Sequence, residues 1–244
     1  MGIRAQRPEP EQSEKDEYFI SMTDMMVGMI FLFIIMLMFF ALKFENAADK
    51  SEALIKSFES IEVVRDSILA GIKRDMESKG YLVQINPLRG SLSLPENLLF
   101  EKGRAEMMPR GQASIKELSW ALYRNLLCYT RGGVDQEGIS CVPTPHSVEA
   151  VLIEGHTDSD GDPITNWELS VERSFATYQA LISANPVLDR LANRENQPIF
   201  SVAGYGRQRP IVANTTLENK ARNRRVDIRL IMIPPPSSEL AKRP

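Results

Sequence analysis

Apolar residues gather in one long run near the start of the chain. Residues 25–42 read MMVGMIFLFIIMLMFFAL and contain no charged side chain. As a helix rising about 1.5 Å per residue, this run extends for roughly 27 Å, close to the ~30 Å hydrocarbon core of a bilayer. A cleaved signal peptide, the alternative, would have a shorter apolar core of about 7 to 15 residues. We therefore predict one transmembrane helix over residues 19–42, preceded by a tail of residues 1–18.

Polar and charged residues dominate residues 43–80, where apolar residues form only a sparse stripe at heptad-like spacing. The stripe consists of Leu54, Phe58, Ile61, Ile68 and Ile72, with Arg65 at the remaining position. This pattern predicts a helical linker that ends at Gly80. Two interpretations stay open: a short parallel coiled coil between two copies of the chain, and an amphipathic helix packed on its own domain. A plug or a dimerisation switch would also lie in this segment.

From residue 81 the spacing of apolar residues changes repeatedly between strand-like and helix-like periods. We predict strands at 81–86, 90–94, 148–154, 199–204 and 225–233, and helices at 112–127, 166–183 and 217–222. The first of these helices should bury Ile115, Leu118, Leu122 and Leu126. Three prolines at 234–236 end the domain and leave residues 237–244 as a tail. The predicted fold class is therefore an α/β (α+β) domain over residues 81–236.

Length and composition allow one membrane anchor and one globular domain of ordinary size. The chain has 244 residues, of which 43% are hydrophobic, and a net charge of −3. Asp24 lies directly before the uncharged run. A carboxylate at the centre of a membrane helix costs about 2.5–3.5 kcal/mol on insertion scales, so such residues usually face a partner or an aqueous path. Asp24 is therefore a candidate ion-carrying residue.

Two cysteines, Cys128 and Cys141, flank a polar loop that contains glycines. If the domain lies outside the cytosol, we expect them to form a disulfide, and closing such a loop stabilises a protein by about 3 kcal/mol in the entropy model. Two free thiols are the alternative. The spacing fits no zinc motif and only His146 and His156 could add imidazole ligands, so we expect no metal site.

Several short motifs follow one another in the second half of the chain. They are Gly155, His156, Thr157 and Asp158; then Asn166, Leu169, Ser170 and Arg173; then Gly204, Tyr205, Gly206 and Pro210; and finally Asn223, Arg224, Arg225 and Val226. In this order they resemble the OmpA-like peptidoglycan-binding domain, over about residues 88–233. The resemblance implies helices on one face of a mixed sheet, and a groove for the diaminopimelate-containing stem peptide of the cell wall.

The predicted helix at 166–183 carries two stripes that face different directions. The first stripe comprises Asn166, Leu169, Ser170 and Arg173, and it is free to line a groove. The second stripe comprises Val171, Phe175, Tyr178 and Ile182, and we assign it to the core.

Two charged residues of this region fit the chemistry of a diaminopimelate end. That end carries an ammonium and a carboxylate on one carbon, so the carboxylate of Asp158 and the guanidinium of Arg173 match it. The resemblance points to the same two residues. The further predicted binding residues are Thr157, Asn166, Leu169 and Arg224. The alternative is an ordinary surface ion pair between Asp158 and Arg173, worth less than about 1 kcal/mol.

Neighbouring residues receive other roles. Adjacent residues entering a strand point to opposite faces, so at most one of Arg224 and Arg225 should reach the groove, and we favour Arg224. Asn166 should fix either the helix start or the ligand. We expect His156 to be a structural hydrogen-bonding residue, and the acidic loop at 158–162 lacks the spaced glutamate of a calcium loop.

The whole layout resembles the B subunit of a bacterial stator: a short tail, one span with an early acidic residue, a helical spacer and an OmpA-like domain. The resemblance implies an inner-membrane protein with a cytoplasmic N-terminus and a periplasmic domain. In that class two B subunits lie inside a ring of five polytopic A subunits, and the acidic residue takes up and releases a proton or a sodium ion. The domain binds the peptidoglycan stem peptide, and no cofactor is needed beyond the transported ion.

Features around the span separate this chain from flagellar stator subunits. No aromatic residue directly follows Asp24, the span lacks tryptophan and the leader is acidic. The chain looks more like the B subunit of the Zorya anti-phage defence system, and we predict that role. A flagellar stator subunit and a passive cell-wall tether without ion transport are the alternatives. We expect neither an enzyme, because no catalytic triad or metal-ligand cluster accompanies the groove, nor direct nucleic-acid binding.

Overall fold

The computed structural model describes residues 10–132, 141 and 144–233, with side chains from residue 22 onward except at 49–50, 53–54 and 56–59. The chain divides into two compact units, Met1–Ile55 and Lys56–Pro244. Helix α1, Pro10–Ser78, contains the boundary between them.

The first unit contains the membrane-length segment Met22–Ala48 of α1. This segment has 27 residues and a mean hydropathy of 2.8, and its apolar window is not buried against other residues. By length and composition it can cross a membrane. The prediction of an N-terminal apolar helix is therefore confirmed. Asp24 lies near the start of the segment with an exposed side chain.

The last turns of α1 belong to the second unit and pack on it. Ile68, Leu69, Ile72 and Met76 are buried in its hydrophobic core. The helix ends at Ser78, shortly before Gly80, which adopts a left-handed backbone conformation with φ +81°. For these turns the structure shows an amphipathic helix on its own domain, the second of the two interpretations of the linker.

The globular unit thus begins well before the predicted boundary at residue 81. The reason is that the apolar stripe of the predicted linker is buried from Ile61 onward, so this segment is part of the core and not a spacer. Leu54 and Phe58, the first two members of the stripe, fall among the side chains outside the description.

Among the described residues, one sheet has five strands: β1 (Gln84–Asn86), β2 (Ser91–Pro95), β3 (Ser147–His156), β4 (Phe200–Gly204) and β5 (Arg225–Ile233). Their order is β1-β2-β5-β3-β4, and neighbouring strands are antiparallel except for the parallel pair of β3 and β4. The predicted mixed sheet is confirmed. Because β5 is central, its first residue Arg225 lies opposite both Pro95 of β2 and His156 of β3.

Four further helices lie in the described part of this unit: α2 (Glu96–Leu99), α3 (Pro109–Leu126), α4 (Pro163–Ala184) and α5 (Leu217–Asn223). Helix α3 buries Ile115, Leu118, Leu122 and Leu126, as predicted. These side chains share one core with Val151, Ile153 and Ile228 of the sheet. Alternate positions of the same strands, such as Glu154 and Asp227, belong to the other face. The predicted α+β architecture is confirmed.

The two stripes predicted for α4 are reversed in the structure. Ser170 and Arg173, which were assigned to an open groove, are 0% and 2% exposed. Val171 and Phe175, which were assigned to the core, are 40% and 47% exposed. The remaining members of the predicted core stripe, Tyr178 and Ile182, are only partly buried. The core assignment was therefore wrong for Val171 and Phe175, whereas Tyr178 and Ile182 pack against the edge of the core.

The close approach of α4 to the sheet explains this reversal. A Cβ atom added at Gly155 of β3 would lie 1.9 Å from the Ser170 carbonyl oxygen, and one at Gly204 of β4 would lie 2.6 Å from the Ser170 hydroxyl. Such short distances leave no room for a side chain at either glycine and allow only a small one at Ser170. Ser174 and Thr177 continue that face and are fully buried.

Helix α4 also begins earlier than predicted, at Pro163 instead of Asn166. Asp162 is its N-cap, and the carboxylate accepts a hydrogen bond from the Thr165 amide at 2.9 Å. Asn166 therefore lies inside the first turn and does not fix the helix start.

Several short elements were not predicted, because they span too few residues to show a period. They are α2 and the 3₁₀ turns Pro87–Arg89, Leu127–Tyr129 and Pro186–Arg190. Strand β1 begins at Gln84, three residues later than predicted.

Cys128 and Cys141 form a disulfide with a Cα–Cα distance of 5.3 Å. This confirms the predicted pairing and excludes the alternative of two free thiols.

Candidate functional site

The predicted site residues come from three places that the sheet brings together. Thr157 and Asp158 directly follow β3, Asn166 and Arg173 lie on α4, and Arg224 directly precedes β5. Since β3 and β5 are antiparallel neighbours, the end of β3 and the start of β5 meet at the same edge of the sheet. This pairing places Asp158 beside Arg224.

Four charged side chains form a chain of alternating sign at this edge. The Nη1 of Arg224 donates to Oδ2 of Asp158 at 2.6 Å, and its Nε donates to Oε2 of Glu96. The other oxygen of Glu96 accepts from Nη2 of Arg173. The order of contacts is therefore Asp158, Arg224, Glu96, Arg173, and we call these residues the charge quartet.

Asp158 and Arg173 belong to one cluster, but not as the direct pair that the sequence suggested. Among the described contacts, each is linked to the other only through Arg224 and Glu96. Three members of the quartet are buried, because Arg173, Asp158 and Glu96 are only 2%, 4% and 5% exposed, whereas Arg224 is partly exposed. An ordinary surface ion pair does not describe this arrangement. Buried charges without partners are costly, so each member depends on its neighbours.

The two arginines respond differently to this environment. Burial lowers the pKa of Arg173, and the charge of Glu96 opposes that effect. Burial also acts to lower the pKa of Arg224, but the hydrogen bonds to Asp158 and Glu96 outweigh it, so that the pKa of Arg224 is raised. Both guanidinium groups therefore carry a positive charge at neutral pH.

Arg173 also ties α4 to the loop that follows α2. Its Nε donates to the Arg104 carbonyl at 2.9 Å, and its Nη2 donates to the Glu101 carbonyl at 3.3 Å. The guanidinium carbon lies 5.6 Å from the centre of the Phe100 ring. The donors Nε and Nη2 of Arg173 are thus occupied by the chain itself.

The other predicted residues shape the loop around Asp158. The side-chain amide of Asn166 donates to the Asp160 carbonyl at 2.7 Å, and Oδ1 of Asp158 accepts from the Asp160 amide at 3.0 Å. The Thr157 amide donates to the Gly206 carbonyl at 2.9 Å, and Leu169 is partly exposed on α4. These contacts place Thr157 and Asn166 at the site as supports of the loop.

Arg224 and Arg225 diverge, as strand geometry predicts. Arg225 turns to the other side and donates from Nε to both oxygens of Asp227, at 3.1 and 3.0 Å. It is 3% exposed and does not contact the quartet through any described hydrogen bond.

A second buried cluster, formed by Glu154, His156 and Asp227, lies on the face of the sheet opposite to Val151, Ile153 and Ile228. The potential ligand atoms of these three residues lie within 4.8 Å of one another. Three guanidinium groups accompany them: Arg229 lies 3.0 Å and Arg209 4.0 Å from Glu154, and Arg225 pairs with Asp227. This positive charge already balances the carboxylates, so a divalent cation is disfavoured here.

His156, which was predicted to be a structural hydrogen-bonding residue, lies beside Asp227 in this cluster, although neither ring nitrogen makes a hydrogen bond of good geometry. Its Nε2 lies 3.3 Å from Oδ2 of Asp227, and its ring stacks on Tyr205 with a centroid distance of 5.5 Å. Burial lowers the pKa of His156, whereas burial raises the pKa of Glu154. The histidine is therefore neutral at neutral pH.

Sequence reasoning missed Glu96, which bridges the two arginines of the quartet. Nothing in its local sequence marks it, because it follows an ordinary strand and a proline. The signal that finds it is the sheet register: Pro95 lies opposite Arg225, and the Glu96 amide donates to the Arg224 carbonyl at 3.1 Å. This register pairs residues that are far apart in the chain, so it is known only from the tertiary structure.

Residues 141–224 match the model of the OmpA family. This part of the chain is OmpA-like. The match includes β3, α4, β4 and α5, and with them Asp158, Arg173 and Arg224 of the quartet. We refer to the second unit as containing an OmpA-like domain.

Two relatives extend the similarity beyond the OmpA-like domain. Motility protein B of Bacillus subtilis is 27% identical over 191 residues, or 76% of this chain, and the chain spans 59% of that relative's length. Zorya protein ZorB of Escherichia coli is 23% identical over 233 residues, and the alignment covers 91% of each chain. Among solved structures, the periplasmic domain of Helicobacter pylori MotB is 22% identical, with a TM-score of 0.43 over 62% of this chain and 81% of that one. The chain is MotB-like, and it is similar to ZorB along nearly its whole length.

Proposed function

We propose that this protein is the B subunit of an ion-driven motor in the bacterial inner membrane, anchored to peptidoglycan and acting in anti-phage defence of the Zorya type. The alignment with ZorB carries this proposal, because it covers 91% of both chains and so includes the apolar helix together with the OmpA-like domain. The same layout supports a single-pass protein with a cytoplasmic N-terminus and a periplasmic domain. The disulfide between Cys128 and Cys141 suits that oxidising compartment.

Asp24 is the proposed ion-carrying carboxylate. It lies near the start of a 27-residue apolar segment. A carboxylate in such a position needs a partner or an aqueous path, which a polytopic A subunit would supply. Moving one elementary charge across 100 mV provides about 2.3 kcal/mol, so repeated proton or sodium transfer can drive rotation. We propose a ring of five A subunits around two copies of this chain.

The charge quartet is the proposed peptidoglycan site. It offers carboxylates and guanidinium groups within one small region, and a diaminopimelate stem peptide ends in an ammonium and a carboxylate on one carbon. Asp158 would bind the ammonium, and Arg224 and Arg173 would bind the carboxylate. The role is binding and not catalysis, and it requires no cofactor or nucleic acid.

Copurification from membranes tests the motor proposal. Full-length protein, extracted in mild detergent from cells that express its neighbouring genes, should bring down a polytopic membrane protein in excess over itself. Recovery of the chain without a membrane partner would reject the motor and leave a passive wall tether.

A flagellar stator subunit is the second candidate, and the similarity to Motility protein B favours it. The two candidates share a mechanism but differ in the process. Deletion of the gene should lower resistance to phage and leave swimming unchanged; loss of swimming with normal phage resistance would favour the flagellar role.

A further inference from the structure

The carboxylate of Glu96 occupies the point where two guanidinium groups converge. One oxygen accepts from Arg173 and the other from Arg224, so each oxygen is held by a different arginine. Glu96 is 5% exposed and Arg173 is 2% exposed. In this arrangement Glu96 is the carboxylate that holds Nη2 of Arg173, so a ligand carboxylate would have to take its place to bind that donor.

This arrangement shows which chemical group the two arginines accept. A carboxylate between two guanidinium groups receives charge-assisted hydrogen bonds on both oxygens, which is among the strongest ways to bind that group in a protein. The chain itself provides the carboxylate. A ligand carboxylate would make the same contacts, and both cannot be in place together.

We propose that Glu96 is an internal competitor that closes the carboxylate half of the site, and that a stem-peptide carboxylate binds by displacing it. This inference rests on the proposed peptidoglycan site and adds to it a residue that controls affinity. The quartet holds equal numbers of positive and negative groups, so exchange of one carboxylate for another leaves the balance of charge at the arginines unchanged. Asp158 remains in place for the ligand ammonium.

Glu96 has room to leave without unfolding its helix. It is the first residue of α2, and a cavity of about 310 Å³ borders its side chain. The cavity is also lined by Ser93, Asn97 and Arg222. The guanidinium of Arg222 offers the displaced carboxylate of Glu96 a positive charge in addition to that of Arg224. Rotation about the side-chain torsions can move the carboxylate toward this cavity while the backbone amide stays bonded to Arg224.

The decisive variant is Glu96→Gln in the full-length protein. Glutamine keeps the size of the side chain but weakens its hold on the arginines, because it lacks the negative charge. Binding of free meso-diaminopimelate, measured by titration calorimetry in detergent, should become about tenfold tighter, as expected from loss of one competing charge-assisted hydrogen bond. Cosedimentation with purified sacculi should shift in the same direction. A residue that merely supports the site would lower affinity when changed, so the sign of the effect separates the two roles.

Glu172→Gln is the matched control, because it removes one negative charge from an exposed position of α4. It should leave affinity unchanged. If Glu96→Gln fails to fold, Glu96→Asp is the alternative test. Its side chain is shorter by one methylene and cannot span both arginines, so this variant should also bind the ligand more tightly.

Unchanged or weaker binding by the Glu96 variants, with normal binding by the wild type, overturns the competitor role and leaves the peptidoglycan site intact. If neither the wild type nor any Glu96 variant binds sacculi or diaminopimelate, the proposed site itself is wrong and the competitor role falls with it.

Discussion

Arg224 is the residue through which the two carboxylates of the quartet are joined. Its guanidinium bonds both Asp158 and Glu96, and those carboxylates are almost completely buried. Burying a carboxylate without a cation beside it is energetically costly. Arg224 is therefore both a candidate ligand-binding group and a structural one, and a variant at this position should reveal both roles.

Replacement of Arg224 by alanine should lower the free energy of unfolding by about 2–3 kcal/mol, because buried Asp158 loses its cationic partner and Glu96 loses one of its two. We expect loss of binding to sacculi in the same variant. Urea denaturation of the full-length protein in detergent measures the first effect. Arg222→Ala, at an exposed neighbouring position, is the control and should cost less than about 0.5 kcal/mol. Equal stability of the two variants would contradict the account of the quartet.

Protonation of His156 should make stability depend on pH. Burial lowers the pKa of His156 in the folded protein, whereas the unfolded chain titrates near 6.5. Below about pH 6.5 the unfolded chain therefore binds a proton that the folded protein does not, and stability falls as pH falls. The raised pKa of Glu154 acts in the opposite sense, since its contribution is present at low pH and is lost as pH rises.

Comparison with His156→Gln isolates the histidine. The difference in unfolding free energy, wild type minus variant, should decrease between pH 8 and pH 5.5. A difference that stays constant or grows on acidification would show that His156 is not a neutral buried residue.

At the scale of elements, the contact between α4 and the sheet decides where the site lies. Gly155 and Gly204 let the helix approach β3 and β4 so closely that only small side chains fit between them. This approach turns the face with Ser170 and Arg173 inward, and Arg173 thereby reaches Glu96. The apolar residues Val171 and Phe175 remain on the outside.

A methyl group at Gly155 should force α4 away from the sheet. The added Cβ would meet the Ser170 carbonyl oxygen at 1.9 Å, a backbone atom that cannot move aside alone. We expect Gly155→Ala to lower the free energy of unfolding by about 3 kcal/mol or more and to weaken sacculus binding with it. Gly161→Asn is the control, because nothing lies within 4 Å of its Cβ position and asparagine tolerates the left-handed backbone there. A tolerated Gly155→Ala variant would mean that the close contact is not required.

At the scale of the whole molecule, two candidate functional groups lie in separate units of one chain. Asp24 belongs to the first unit and the charge quartet to the second. Each unit has its own kind of chemistry: the carboxylate of Asp24 near the start of an apolar segment in one, and a set of paired charges in a folded domain in the other. The proposed function needs both, since an ion-driven motor must be held against a fixed support.

The two roles should therefore separate by mutation. Asp24→Asn should abolish ion flux in the assembled complex and protection from phage, while sacculus binding and copurification with the membrane partner stay normal. Asp158→Asn should abolish sacculus binding, while membrane insertion and assembly of the complex stay intact. Fluorescence flux assays and cosedimentation measure the two outcomes. Normal flux in Asp24→Asn would remove the ion-carrying role.

The pattern of residues by itself determined the apolar helix and the α/β domain, while the resemblance to the OmpA-like domain supplied the mixed sheet and the candidate site residues. Long runs and sustained periods report local structure directly, because burial of each helix or strand follows its own pattern. Asp158, Arg173 and Arg224 were named through the resemblance of their motifs to the OmpA-like domain, and the structure brings all three into one cluster.

Only the tertiary structure decided how those residues are paired and which face of α4 is buried. Glu96 enters the site because the register of β2 with β5 places Pro95 opposite Arg225. Val171 and Phe175 of α4 stay largely exposed because the helix lies close to the glycines of β3 and β4 with its other face. Pairing between distant strands and close packing of a helix on a sheet depend on residues far apart in the chain. A local pattern of polar and apolar positions therefore does not predict this pairing or this packing.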